Sequence, residues 1–349
     1  MARGLLVAAL AACGGNPPTT TAQTPPFAVG VTTRKLVDMS RATPQNGGQP
    51  GMSSRNLPTE IWYPIAGSDP GETRDAPPLA RTAPWPLLLF VHGSDGNRRQ
   101  STFLTDGLAA AGYVVAAADF PLTASSTPGG SSDLHVDDQL GDLRFLQRTL
   151  TMPSAALSPL PTIEAKRYAV IGHSTGGTVA LLAAFAPDTH DDQLAAAVAL
   201  APCACFFGDA FFTTRSVPLL VAAGTDDLFV PPADNGVRAF TLAPPPRLLA
   251  TLVGGTHLYF TDYPIPDATL HPMPTTSDAD LAVTLARYGG GACSPIPPPG
   301  MDPGLTSDEQ QALTVPLVVA FLEAQLGANG KPLADLEASP PAHLLLRDH

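Results

Sequence analysis

Tyr168-Ala169-Val170-Ile171-Gly172-His173-Ser174-Thr175-Gly176-Gly177-Thr178-Val179-Ala180-Leu181-Leu182 begins as a short apolar run and ends as a run of small, helix-forming residues. Between the two lies Gly-x-Ser-x-Gly, at residues 172–176. The order strand, Gly-His-Ser-Thr-Gly, helix is the context that makes this pattern a nucleophile elbow. A serine on so sharp a turn has a strained backbone. Only small residues two before and two after it, Gly172 and Gly176, let strand and helix pass so closely. The turn lifts the Ser174 hydroxyl to the end of a sheet and sets a helix N-terminus, with free N–H groups, beside it.

Outward from this stretch the chain repeats buried strand, loop, helix. Apolar runs stand at 87–91, 113–118, 195–201, 217–223 and 248–253, with helical patterns at 103–111 and at Val136, Leu140, Leu143, Leu146 and Leu150. Near-continuous apolar strands separated by helices predict an α/β fold: a mostly parallel central sheet covered by helices on both faces. Two earlier strands are expected at 27–38 and 57–63. A last helix is expected at 308–326, with Ser307 and Gln310 as its capping box and a bend at Pro316. Nothing divides 27–326, which reads as one domain whose long insert is 261–306; residues 327–349 read as a loose tail.

A serine hydroxyl needs a base to take its proton. Of eight histidines, His92 and His173 belong to local motifs, His135, His190 and His271 lie in loops, and His343 and His349 lie in the tail. His257 stands just past the last buried strand, where a base can reach Ser174. The imidazole in turn needs a carboxylate to hold its tautomer. Asp226 and Asp227 both follow the strand at 217–223, so the chain order is Ser, Asp, His. A tetrahedral intermediate also needs two preplaced N–H donors. The backbone N–H of Thr175 follows the nucleophile, and that of Ser94 follows His92-Gly93 after the strand at 87–91. Phe206, Phe207, Phe211 and Phe212 either line an apolar substrate pocket or form plain core.

The 349 residues carry a net charge of −12, which disfavours nucleic acid as a partner. No Cys/His cluster has metal-ligand spacing and no glycine-rich dinucleotide pattern follows a strand, so no metal or cofactor is expected. Residues 1–12 have a positive start at Arg3 and a brief apolar run, too short to span a bilayer. The run ends in Leu10-Ala11-Ala12-Cys13, which resembles a bacterial lipoprotein box with Cys13 as the lipidated residue; an ordinary export signal or a mis-set start codon are the alternatives. Residues 13–26 read as a flexible tether. An exported and lipid-anchored protein is expected, or else a periplasmic or secreted one. After export, Cys293 in the insert can pair with Cys203 or Cys205, which are too close to bridge each other; free buried thiols are the alternative.

With these residues in view, the chain resembles the α/β-hydrolases grouped with platelet-activating-factor acetylhydrolases, predicted dienelactone hydrolases and bacterial cutinase-like polyesterases. The matching pieces are Leu36-Val37-Asp38-Met39-Ser40-Arg41, Glu60-Ile61-Trp62-Tyr63-Pro64, Phe90-Val91-His92-Gly93-Ser94, Ala110-Ala111-Gly112-Tyr113-Val114-Val115, Gly172-His173-Ser174-Thr175-Gly176-Gly177, Gly224-Thr225-Asp226-Asp227 and His257-Leu258-Tyr259-Phe260-Thr261-Asp262. Ser94 and Thr175 depart from the larger apolar residues that relatives often have there. The resemblance implies cofactor-free hydrolysis of carboxylic esters, small, lipid-like or polymeric. It also favours Asp227 as the acid, since relatives tend to place it three residues after a glycine and four before a proline, as Gly224 and Pro231 are placed here. A polyesterase with an open groove is the nearest alternative. A retired hydrolase fold serving as a lipoprotein binding module, and a peptidase, are the more distant ones.

Overall fold

The computed structural model describes residues 26–69, 71–152, 154, 157–263, 276–290, 293, 304–327 and 330–348. The expected export segment, Cys13 and nearly all of the tether lie outside the described residues. Ten strands form one sheet: β1 (Ala28–Asp38), β2 (Arg55–Ile65), β3 (Glu72–Arg74), β4 (Trp85–Val91), β5 (Val114–Ala118), β6 (Ile163–His173), β7 (Leu194–Leu200), β8 (Leu219–Gly224), β9 (Arg247–Leu252) and β10 (Leu344–Asp348). Their order is β10-β9-β8-β7-β6-β4-β5-β2-β1-β3. The run from β9 to β5 is parallel throughout, while β2 and β10 join it antiparallel at either side.

Side chains alternate between two cores, which is why the strands read as unbroken apolar runs. In β4, Leu87, Leu89 and Val91 enter one core, and Leu88 and Phe90 the other. In β6, Tyr168 and Val170 face the first and Ala169 and Ile171 the second. The first core is closed by α2 (Gln139–Thr151), α3 (Thr175–Phe185), α4 (Gly236–Leu242) and α5 (Thr276–Leu285). The second is closed by α1 (Thr102–Ala110) and α6 (Ser307–Gln325), with α7 (Lys331–Ala338) beside α6.

Two expectations need correction. Residues 327–349 are not a loose tail, for α7 packs on α6 and β10 adds an edge strand to β9, pairing Leu344 with Leu252. The cap of α6 is one residue earlier than expected: Thr306 Oγ1 accepts from Glu309 N, and Glu309 accepts from Thr306 N at 2.8 Å. Gln310 is not free to cap because it is fully buried, with Oε1 accepting from Thr256 N (2.8 Å) and Nε2 donating to Thr256 O (2.9 Å). The helix runs on through Pro316 as one element.

Candidate active site

The strand order brings four loops to the C-terminal edge of the parallel sheet, after β4, β6, β8 and β9. After β6 comes the elbow. Ser174 has φ +58° and ψ −124°, a conformation that costs a non-glycine residue roughly 1–3 kcal/mol. It is held there by Ser174 N donating to Leu200 O (2.9 Å) and Thr178 N donating to Ser174 O (3.0 Å). The elbow glycines are dictated by close approach. A Cβ on Gly172 would overlap the Gly176 carbonyl, and one on Gly176 would overlap the Val91 carbonyl.

His257 follows β9 and is 5% exposed; its Nε2 lies 2.9 Å from Ser174 Oγ. On the other side of the ring, Nδ1 lies 2.8 Å from Asp227 Oδ2. The second oxygen of Asp227 accepts from the backbone N–H groups of Phe229 (3.0 Å) and Val230 (2.7 Å), so the whole carboxylate is engaged. Asp226 turns away and accepts from Thr225 Oγ1 at 2.9 Å. Of the two aspartates left open by position, only Asp227 meets the histidine. The Phe229 ring stacks on His257 with centroids 5.4 Å apart.

Ser94 and Thr175 line the same cavity as Ser174 and His257. Neither backbone N–H has a backbone acceptor among the described residues. The cavity has a volume of about 180 Å³. Phe229 and Tyr263 supply its aromatic wall, and Cys203, Val230 and Asp278 line it too. Burial raises the Asp278 carboxyl and pushes the Cys203 thiol above its ordinary value, so that thiol stays protonated.

Phe206 and Phe207 are placed differently from the expectation of a substrate pocket. Both are buried in the first core, and the Phe207 ring stacks on Phe211 at 4.0 Å, with Phe212 and Tyr288 around them. The reason is the chain path. After β7 the segment turns under the insert, where Phe207 forms a bridge with Gly289. A disulfide between Cys205 and Cys293, Cα atoms 5.2 Å apart, fastens the same two segments, and Cys203 is the free buried thiol.

Gln100 carries no pattern in the sequence, and the roles of His173 and Asp262 show only in the fold. Gln100, 2% exposed, accepts from Gly93 N (2.8 Å) and contacts His173 Nδ1 (3.0 Å), while His173 Nε2 contacts the His257 carbonyl (3.0 Å). Burial first, then the neighbouring His257, hold the His173 imidazole well below its usual value and so neutral. Asp262 caps the start of α1 through Thr102 and Phe103, tying the segment after His257 to that helix. Among the described residues no group of His, Cys, Asp and Glu side chains is placed to hold a metal ion, and no helix is long and apolar enough to cross a membrane.

The comparisons agree with this architecture. The sequence pattern of the alpha/beta hydrolase family matches residues 88–347, and the chain belongs to that family. Among solved structures, a ferulic acid esterase from Streptomyces cinnamoneus superposes with a TM-score of 0.63 at 24% sequence identity, covering 95% of this chain and 98% of that one. At that identity the likeness is one of fold. No curated protein sequence matches the chain.

Proposed function

We propose that the protein hydrolyses carboxylic esters through an acyl-enzyme formed on Ser174. The observation that carries this reading is the unbroken line Asp227–His257–Ser174, with links of 2.8 and 2.9 Å, opening into a cavity that Ser94 and Thr175 also line. His257 Nε2 takes the hydroxyl proton as Ser174 Oγ bonds to the ester carbonyl carbon. The carbonyl oxygen becomes an oxyanion that Ser94 N–H and Thr175 N–H stabilise. As the intermediate collapses, the imidazolium gives its proton to the departing alkoxide and the alcohol leaves. Water, deprotonated by His257, then attacks the acyl carbon, and Ser174 leaves with the proton as the free acid forms. Asp227 holds the Nδ1–H tautomer and stabilises the imidazolium throughout.

The volume of about 180 Å³ lies below the range of roughly 300–1,000 Å³ for pockets that enclose drug-sized ligands, and it favours a small group in the cavity. Tyr263, 40% exposed at the same cavity, is the observation that favours the second reading, a polyesterase gripping a polymer along an open mouth. The disulfide supports an oxidising compartment, in keeping with export and with a lipid on Cys13 as a membrane anchor. The test is hydrolysis of p-nitrophenyl acetate, butyrate, octanoate and palmitate. The highest kcat/KM belongs to the short chains; an optimum at octanoate or beyond contradicts the small-acyl reading. Membrane fractionation of a bacterial host expressing wild type and Cys13→Ser tests the anchor, which predicts release of the variant only.

A further inference from the structure

Gln100 stands outside the Ser–His–Asp line, yet its side-chain amide joins the two loops that flank it. The orientation of that amide is set by chemistry. Gly93 N–H can only donate, so the oxygen of Gln100 faces it at 2.8 Å. The nitrogen therefore faces His173 Nδ1 at 3.0 Å and, as a donor only, requires a lone pair there. The His173 proton then sits on Nε2 and is donated to the His257 carbonyl at 3.0 Å. One directed line runs from the backbone of the loop after β4, through Gln100 and His173, to the backbone of His257. Resting on the esterase reading above, we propose that Gln100 is a positioning residue that ties the loop carrying the Ser94 donor to the loop carrying the His257 base, so that both are held in one register around Ser174.

Four further contacts fit this role. A side chain at Gly96 would strike Gln100 Oε1, so the loop is shaped around the amide. Gln100 N donates to Asn97 O (3.0 Å), and its carbonyl accepts from Asp262 N (2.8 Å) in the segment after His257. The next residue, Ser101, donates from Oγ to Phe260 O at 2.8 Å. Gln100 is 2% exposed, so losing either hydrogen bond leaves a buried polar group without its partner.

The Gly93 peptide directly precedes the Ser94 N–H, so releasing Gly93 swings that donor. Loss of a whole oxyanion donor costs roughly a hundred- to a thousand-fold in kcat, and a misaimed one costs a part of that. The ground-state ester needs the donor far less, so the loss falls on kcat and not on KM.

The test uses Gln100→Met, which keeps length without either hydrogen bond, His173→Phe, and the double variant. Kinetics are measured on p-nitrophenyl acetate and normalised to sites titrated with a fluorophosphonate, so misfolded enzyme does not count. Gln100→Met is expected to lose about tenfold or more in kcat per titrated site, with KM within about threefold. The double variant is expected to lose no more than the worse single, because both break one line. Wild-type kcat in Gln100→Met, or losses that multiply in the double variant, overturns the proposal. Long-range 1H–15N NMR of the wild type supplies a test free of folding effects: the Nε2–H tautomer of His173 is expected, and an Nδ1–H tautomer overturns it. Ser174→Ala is run beside these. If it keeps wild-type activity, the esterase reading itself falls; if it is inactive while Gln100→Met is normal, only the coupling falls.

Discussion

His257 Nδ1 lies 2.8 Å from Asp227 Oδ2, while the carboxylate one residue earlier, on Asp226, is taken up by Thr225. Adjacent side chains on this loop thus point apart, and only one can orient the base. Asp227→Asn presents an amide where the imidazole needs an acceptor and is expected to lower kcat by roughly 10⁴-fold. Asp226→Asn is expected to stay within about threefold of wild type, since a half-buried neighbour without contact to the base touches stability alone. Steady-state kinetics on one ester, after thermal melts confirm folding, decides between them; a larger kcat loss in Asp226→Asn reverses the assignment.

The Cys205–Cys293 bond closes a span of 88 residues, and by chain-entropy reasoning a crosslink of that reach contributes up to about 4.6 kcal/mol. Reduction is expected to lower Tm by about 5 °C or more, because it frees the insert that packs on Phe207 and borders the cavity. Peptide mass spectrometry without reductant should find residue 205 joined to residue 293 and Cys203 alkylated only after denaturation. A melt unmoved by reductant, or free thiols at both positions, contradicts this.

Asp106 on α1 buries Oδ1 with no hydrogen-bond partner among the described residues. Burial, then the Glu72 carboxylate, push its carboxyl from an ordinary 3.8 up to about 7. A raised value means the folded protein holds a proton that the unfolded chain releases. The contribution to stability is complete below about pH 4 and is lost as pH rises through about 7. Asp106→Asn removes the ionisable group, so its Tm relative to wild type should rise by a few degrees between about pH 5 and about pH 8. A difference that stays constant over that window rules out Asp106 as the titrating group.

What was legible in the sequence followed from burial. The strands from β4 to β9 sit between two cores, so both faces demand apolar residues and the runs stand out. The elbow was legible because backbone contact forces glycine at 172 and 176. Elements with little burial were not. β3 has three polar residues, and β10 buries only Leu344 among its five, so neither carries an alternating pattern. α4 is seven residues long, too short to show helical periodicity. Gln100 carried no sequence signal and Gln310 read as a capping residue, and only the folded chain shows them buried against the loops that carry Gly93 and Thr256. The phenylalanines at 206 and 207 were ambiguous for the opposite reason, since an apolar side chain suits a core and a pocket wall alike.

The central claim is that Ser174 performs ester hydrolysis, and the most direct measurement compares wild type with Ser174→Ala on p-nitrophenyl acetate. Ser174 Oγ lies 2.9 Å from His257 Nε2, and the Cys203 thiol in the same cavity is held protonated by burial. The account predicts clear turnover by wild type and a loss of roughly 10³-fold or more in Ser174→Ala. Turnover by Ser174→Ala at the wild-type rate, or a wild type no faster than buffer, would contradict it.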